Sequence, residues 1–442
     1  MFWRYFLTIL FLFIIVPRSH AAQEAATPLS LKQCIDLGLK NNVDVLLSRA
    51  VAKEAEGEHT VLNADLLPQI DAVASEQRTW WENIATFGFP GFSGVIGPFN
   101  TFGANIMVSQ RVLDLSALAH AQAGQIKWKA SELQIELASQ QLVLATGEAY
   151  ILALGYQEEL AASYEDIQLA EHFLVLSQHQ LNAGLASSLD VARDRTQLAQ
   201  QKARQEELRL NVVRSLLELK RLIKIPLSQP IVLSDKLGNG DYSYLQTNDA
   251  ISHALEYRME ELVAHADSDY SLEELKASRR SRLPTVSISG EWGRMGLTPD
   301  NTTHDANAMV SISLPIWEGG RISGEIKEKE GLNEEQKIKS DDLNWKVEED
   351  VRLSLETLAS TRAQVKAQQE VEDFARQELK LAQDRFSAGL GDNIQLVDAQ
   401  DALADARDKY VQSLAQYNQA QLNYFGAVGE PRQFDLKESD ES

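Results

Sequence analysis

Cysteine is almost missing from this sequence. Cys34 is the single one in 442 residues, so no internal disulfide can form and no paired Cys-x-x-Cys metal or redox site exists. Cys34 lies too far into the chain, and without a small residue before it, to carry a lipid anchor behind a secretion signal. It is expected to pack on the apolar face of a helix. Long apolar runs are equally scarce. Beyond Val16 nothing offers the ~18 consecutive apolar residues of a membrane helix. The N-terminus reads as a secretion signal, with Arg4, an apolar run from Phe6 to Val16, and small residues at Ser19 and Ala21. Residues 1–21 are therefore expected to be removed. Positive charge is the third shortage, with 42 Lys and Arg against 64 Asp and Glu, a net −22. Losing Arg4 and Arg18 makes the mature chain two charges more negative. Such a balance excludes nucleic acid, which is held through basic patches. It also discourages attachment to anionic headgroups through a basic face.

Proline is missing where it would matter most. None occurs between Pro98 and Pro226, or between Pro315 and Pro431. Each of these stretches far exceeds an ordinary globular helix of ~8–20 residues. Each has one break, at Gly184 and at Gly389. A helix over 117–181 would run roughly 100 Å at ~1.5 Å per residue, with a return leg over 188–224 about half as long.

What is present is present twice. Leu67-Pro68-Gln69-Ile70 is echoed by Leu283-Pro284-Thr285-Val286, 216 residues on. Ala183-Gly184-Leu185 is echoed by Ala388-Gly389-Leu390, 205 residues on. The same order in both halves implies a duplicated unit. The return leg of the second copy repeats every seven residues. Leu396, Leu403, Tyr410, Tyr417 and Tyr424 take one seam position, and Ala399, Ala406, Ser413, Ala420 and Ala427 the other. Large residues facing small ones at this period predict a left-handed coiled coil. The first copy is looser, because Val191, Leu198, Val212 and Leu219 keep the rhythm while Gln205 breaks it. Opposite the second seam lie Asp398, Asp401, Asp405 and Asp408. This acidic face is either a solvated surface or the lining of a water-filled passage.

Two alternating segments precede each helical pair. Ile70, Ala72 and Ala74 alternate with polar neighbours, as do Phe102, Ala104, Ile106 and Val108, then Val286 and Ile288, then Ala308, Val310 and Ile312. Half-apolar strands of this length suit a half-buried sheet or a membrane barrel with a wet interior. Trp80, Trp81, Phe99, Phe102, Trp292 and Trp317 fall where aromatic girdles would meet the membrane surfaces. Four strands cannot close a barrel, since closed barrels begin at about eight. Several chains would have to pool their hairpins.

Enzyme signatures are missing: no His-Glu-x-x-His, no Gly-x-Ser-x-Gly and no phosphate-cradling glycine loop. His172 and His179 lack a third ligand and make a poor metal site. Neither catalysis nor a cofactor is expected. A soluble periplasmic adaptor or scaffold is a rival reading, but adaptors usually carry a single helical hairpin between compact β-domains.

The ordered set of motifs resembles the TolC-like outer-membrane efflux proteins. It comprises Leu29-Ser30-Leu31, Asn41-Asn42, both Leu-Pro starts, Ala183-Gly184-Leu185 with Asp190-Val191, and Ala388-Gly389-Leu390 with Val397-Asp398-Ala399. The resemblance covers about residues 28–430. It implies a mainly α fold with membrane β-hairpins, internally duplicated and trimeric. Twelve strands, four per chain, would form a barrel in the outer membrane, above a coiled-coil helical tunnel in the periplasm. It also implies a passive exit duct for a tripartite efflux pump or type I secretion system, served by a periplasmic adaptor and an inner-membrane transporter. The tips Ala183, Gly184, Leu185, Ala388, Gly389 and Leu390 would dock the adaptor. Asp190, Gln395 and Asp398 would form the periplasmic gate, with Asp398 as an acidic ring. Where some members lock the closed state through an arginine in the second turn, this chain has Gly391, so Asp190 is instead expected to cap its helix.

The expected units are a first repeat over 22–225, with an opening helix, a β-hairpin at about 68–113 and a long helical hairpin at about 116–225, and an equatorial linker over 226–249. A second repeat follows over 250–429, with an opening helix, a β-hairpin at about 284–316 and a long helical hairpin at about 320–428. An acidic, mobile tail over 430–442 completes the chain.

Overall fold

The computed structural model describes residues 27–81 and 96–436. The expected signal, the whole Phe87–Phe92 stretch between the first two strands and the last six residues lie outside them. The duplication is plain in the element lengths. The first copy opens with α1 (Leu31–Asn41) and α2 (Val43–Ala64). The second opens with α5 (Thr247–Tyr257) and α6 (Met259–Arg280). Both pairs are 11 and 22 residues long. A single extended residue divides each pair, Asn42 at ψ 142° and Arg258 at ψ 130°. Asn42 caps α2 through Asp44 N–H and donates from Nδ2 to Leu222 O at 3.0 Å. Arg258 has no capping side chain and is held instead by Asp350 at 2.9 Å.

The strands are β2 (Gln69–Trp81), β3 (Ile96–Leu113), β5 (Thr285–Thr298) and β6 (Asn301–Ser313). They form one antiparallel sheet in the order β2-β3-β5-β6. Register places Ile70 opposite Val108, Ala72 opposite Ile106, Ile106 opposite Trp292, and Ile288 opposite Val310. All share one face, which apart from Gln110 is apolar up to the row Ala74, Ala104, Arg294 and His304. The other face carries Asp71, Ser75, Asn105, Ser289, Glu291 and Asn307. Glu291 there accepts from the amides of Asn105 and of Asn307, the latter at 3.0 Å. Gly293 faces Asn105 so closely that a Cβ would lie 2.4 Å from Ala104 O, so only glycine permits this approach. A smaller parallel pair, β1 (Thr27–Leu29) with β4 (Ile231–Leu233), ties the chain start to the linker.

The long helices are α3 (Leu115–Asn182), α4 (Ser188–Ile223), α7 (Arg321–Ser387) and α8 (Asn393–Ala427). The α8 seam is buried as its heptads require. Leu396, Leu403, Tyr417 and Tyr424 are buried, as are Ala399, Ala406, Ser413, Ala420 and Ala427, while Tyr410 is half-buried. Near the sheet, α3 packs between α2 and α6, and α6 against α7. Farther away, α3 packs between α4 and α8, and α8 against α7. One flank of the molecule is therefore β2, α2 and α4, and the other is β6 and α7. Both flanks carry exposed apolar residues, including Leu47, Val61, Leu210 and Val213 on the first and Ile338, Trp345, Leu353 and Phe374 on the second.

The linker threads along the C-terminal third of α8. Asn418 donates to Gly238 O at 2.9 Å, Gln421 to Gly240 O at 2.8 Å, and Tyr417 Oη to Asp241 at 3.1 Å. Cys34 is fully buried there, and burial pushes its thiol up to about 12. The start of the acidic tail is docked, contrary to the expectation of mobility. Phe434 is buried and packs against Tyr242 and Phe425, and Arg432 reaches Glu136 at 3.0 Å. An aromatic side chain thus anchors a segment that charge alone would leave in solvent.

At the sheet end of the helices, Glu274 of α6 clamps α3 and α7 through His120 at 2.9 Å and Lys329 at 3.0 Å. The hydrogen bond from His120 draws the Glu274 carboxyl down to about 2, and the same bond raises the imidazole. Glu274 stabilises fully above its ordinary 4.5 and loses that contribution as pH falls toward 2. His120 contributes fully below its ordinary 6.5 and loses that contribution as pH rises through its higher folded value. Thermal melts should therefore show His120→Gln destabilising at pH 5.5 and much less at pH 9. An equal loss at both values would refute the charged clamp.

Candidate functional site

The helical hairpins reverse at two nearly identical turns. Gly184 (φ 75°) and Gly389 (φ 72°) are left-handed, with open space where a Cβ would stand. Backbone geometry alone therefore calls for glycine. Leu185 N–H reaches back to Gln180 O at 2.8 Å, and Leu390 N–H to Arg385 O at 2.9 Å, closing both helices as Schellman caps. This chemistry leaves Leu185 72% and Leu390 77% exposed, with Leu189 and Ile394 exposed beside them. Ala183 and Ala388 hold the C-cap positions. Each tip thus displays apolar side chains to solvent on a rigid turn.

Asp190 occupies N3 of a capping box. It accepts from Ser187 N–H at 2.8 Å and Ser187 Oγ at 2.7 Å, and meets Arg193 at 3.4 Å. Among the described residues its polar contacts are confined to its own turn. Gln395 and Asp398 are exposed on α8, and Asp398 has no partner among the described residues. The other members of the acidic face are engaged. Asp401 accepts from Gln197, Asp405 pairs with Lys409 at 2.7 Å, and Asp408 pairs with Arg204.

The Asp401 and Asp408 contacts belong to a polar ladder between the two helical hairpins. At its tip end, Asp194 of α4 is 2% exposed and accepts from Ser177 Oγ of α3 and from Asn393 Nδ2 of α8, the latter at 3.0 Å. Burial pushes its carboxyl up, and the two hydrogen bonds oppose that. Gln180 of α3 donates to Phe386 O of α7 at 2.9 Å. The Gln197–Asp401 and Arg204–Asp408 contacts follow along α4 and α8. Beyond them, Arg407 of α8 grips buried Asp166 of α3 at 2.9 Å and Glu165 at 3.5 Å. Burial raises the Asp166 carboxyl against the pull of that guanidinium. Finally, Gln412 donates to Glu159 of α3 at 3.1 Å. The motifs pointed at Asp190 and missed this ladder. One signal was available: at the 205-residue offset Asp194 matches Ala399, so a carboxylate occupies a seam position that the second copy fills with a methyl.

The aromatic residues do not all share one face. Phe99 pairs with Thr79 on the polar face, while Phe102 pairs with Glu76 on the apolar one. Their separation of three forces this, because strand side chains alternate. Trp292 stands at the boundary of the apolar band beside Arg294, and exposed Trp317 follows the opposite end of the sheet. Trp80 is exposed and lies beyond Glu76 and Arg78. Trp81 ends β2, its side chain outside the described set.

Comparisons with known proteins agree with this architecture. The chain is 22% identical to the alkaline protease secretion protein AprF of Pseudomonas aeruginosa over 92% of this chain and 86% of that one. It is 22% identical to the outer membrane protein TolC of Escherichia coli, over 76% and 71%. Its fold resembles the Campylobacter jejuni CmeC outer membrane channel with a TM-score of 0.82 and 19% identity, covering 92% of this chain and 87% of that one. The Vibrio cholerae outer membrane protein VceC gives 0.81 with 14% identity, covering 90% and 96%. The profile of the outer membrane efflux protein family matches residues 34–223 and 250–430, and the chain belongs to that family.

Proposed function

We propose that this protein is a passive outer-membrane exit duct, assembled from three copies. The carrying observation is a sheet with an apolar face and two edges that no strand among the described residues pairs, joined to helices ~100 Å long by the ~1.5 Å rise. Backbone groups cannot stay unpaired in lipid. Pairing β6 of one copy with β2 of the next satisfies both edges, and three copies give the twelve strands of a closed barrel. The same rotation brings α7 against the next copy's α2 and α4, covering the apolar residues on both flanks. A contact between different surfaces that closes on itself is a cyclic assembly.

The apolar face then meets outer-membrane lipid, with Trp292, Phe102 and Trp317 at its boundaries, and the polar face lines the pore. The helices extend into the periplasm. A periplasmic adaptor docks on the exposed Leu185 and Leu390 turns, and an inner-membrane transporter supplies the energy. AprF is named for protease secretion, and TtgC of Pseudomonas putida for toluene efflux. A wide polar duct suits either cargo. The ladder around Asp194 holds the tip closed, and opening separates the hairpins it joins.

Density-gradient fractionation with crosslinking tests the assembly. A heat-modifiable trimer in the outer-membrane fraction is expected, and wholly soluble monomer would refute it. The gate is tested by conductance. Asp398 shares a heptad position with Asp405, Gln412 and Gln419 on α8, away from the linker-bonded Asn418 and Gln421. Three copies of Asp398 form an acidic ring, with Gln395 one turn nearer the tip. Rings of carboxylates favour cations. Asp398→Asn should weaken cation selectivity and divalent block in planar bilayers, and unchanged selectivity would discard the ring.

A further inference from the structure

The apolar face of the sheet has a hollow with a cationic rim. Its volume is about 550 Å³. The floor is made by Ala72, Ala74 and Ala104, whose methyl groups leave room that larger side chains fill elsewhere on this face. Ile106 and the exposed ring of Trp292 form its walls. At the end away from the helices stand Arg294 and His304, directly opposite each other on β5 and β6.

The polar partners of Arg294 decide what this rim can do. Its Nε donates to Thr302 Oγ1 at 2.9 Å, and its Nη2 to Thr302 O at 3.0 Å. Both acceptors are neutral, so the positive charge is aimed but not cancelled. Among the described residues, the nearest carboxylate on this face is Glu76, two residues beyond Ala74. It accepts from Asn100 at 3.0 Å, with Arg78 two residues farther along. Glu291 and Asp305 belong to the opposite face. In a chain of net charge −22, an arginine on a lipid-facing surface is a local reversal.

We propose that this hollow is a binding site for an anionic lipid whose headgroup phosphate carries no cation of its own, with an acyl chain laid over the alanines against Trp292 and the phosphate held by Arg294 and His304. An arginine offers several N–H donors to phosphate oxygens. His304 can donate a further hydrogen bond from its ring. Tryptophan at the edge of the apolar band sits where acyl chains give way to headgroups. The hollow binds the chain and the rim selects the headgroup, so affinity and selectivity come from different residues. The proposal rests on the sheet being embedded in the outer membrane.

The full-length protein, reconstituted into phosphatidylcholine vesicles containing phosphatidic acid, tests this. Flotation with the vesicles establishes insertion, and native mass spectrometry of the detergent-extracted protein counts the lipids retained. The wild type should retain phosphatidic acid over phosphatidylcholine by about tenfold relative to their abundance, equivalent to ~1.4 kcal/mol. Arg294→Gln combined with His304→Gln should abolish the preference while the protein still floats, and Arg294→Lys should keep part of it. Ala104→Leu, which fills the floor, should reduce retention of both lipids. Equal retention by the wild type, or an undiminished preference in the double variant, overturns the site. Protein that fails to float overturns the membrane placement and the site together.

Discussion

With Asp194 replaced by alanine, the duct should conduct several times more current in planar bilayers and admit large solutes that the wild type excludes. Asp194 is buried among three helices, and its removal leaves Ser177 Oγ and Asn393 Nδ2 without their acceptor. A buried donor left unpaired costs about 1–3 kcal/mol. That loss falls on the arrangement in which α4 and α8 are joined, while the separated arrangement exposes the same groups to water. A bias of this size moves the closed-to-open ratio by about 5- to 150-fold. Asp194→Asn keeps an acceptor and should stay near the wild type. Unchanged conductance in the alanine variant would remove Asp194 from the latch.

The largest stability effect is expected at Arg407. Arg407→Leu strands the carboxylate of Asp166, which is 6% exposed. Breaking a buried pair from one side costs about 3–5 kcal/mol, whereas replacing both partners by apolar residues is often neutral. Arg407→Leu should therefore lower the melting temperature clearly, and adding Asp166→Leu should restore most of it. Circular dichroism of the purified protein measures both. If the double variant melts lower than the single one, the charges themselves stabilise this contact.

The seven-residue rhythm of Leu396, Leu403, Tyr417 and Tyr424 was readable because a coiled-coil seam is local: each residue's burial follows from its neighbours along one helix. The Gly184 and Gly389 turns were readable for a similar reason, since a left-handed residue is dictated by a few backbone bonds. The faces of the sheet follow from alternation alone, and the same alternation puts Phe99, three residues from Phe102, on the opposite face. The ladder is different. Arg204 with Asp408, or Gln197 with Asp401, can be paired only once the stagger between α4 and α8 is known, and that stagger depends on the packing of all four long helices. The division of the short helices at Asn42 and Arg258 also escaped notice. Neither break carries proline or glycine, and Arg258 is held by Asp350 from a distant helix. The docked Phe434 was hidden by the acidic residues around it.

The unpaired edges of β2 and β6 have a genetic consequence. A subunit that can pair through one edge but not the other can join a ring without completing it. When such a variant is expressed with an equal amount of wild type, random mixing leaves roughly one ring in eight wholly wild type in the proposed three-copy assembly, because every member of a cyclic ring contributes to closure. A lesion confined to one edge of one sheet should therefore be dominant, and complete loss of the same gene product recessive.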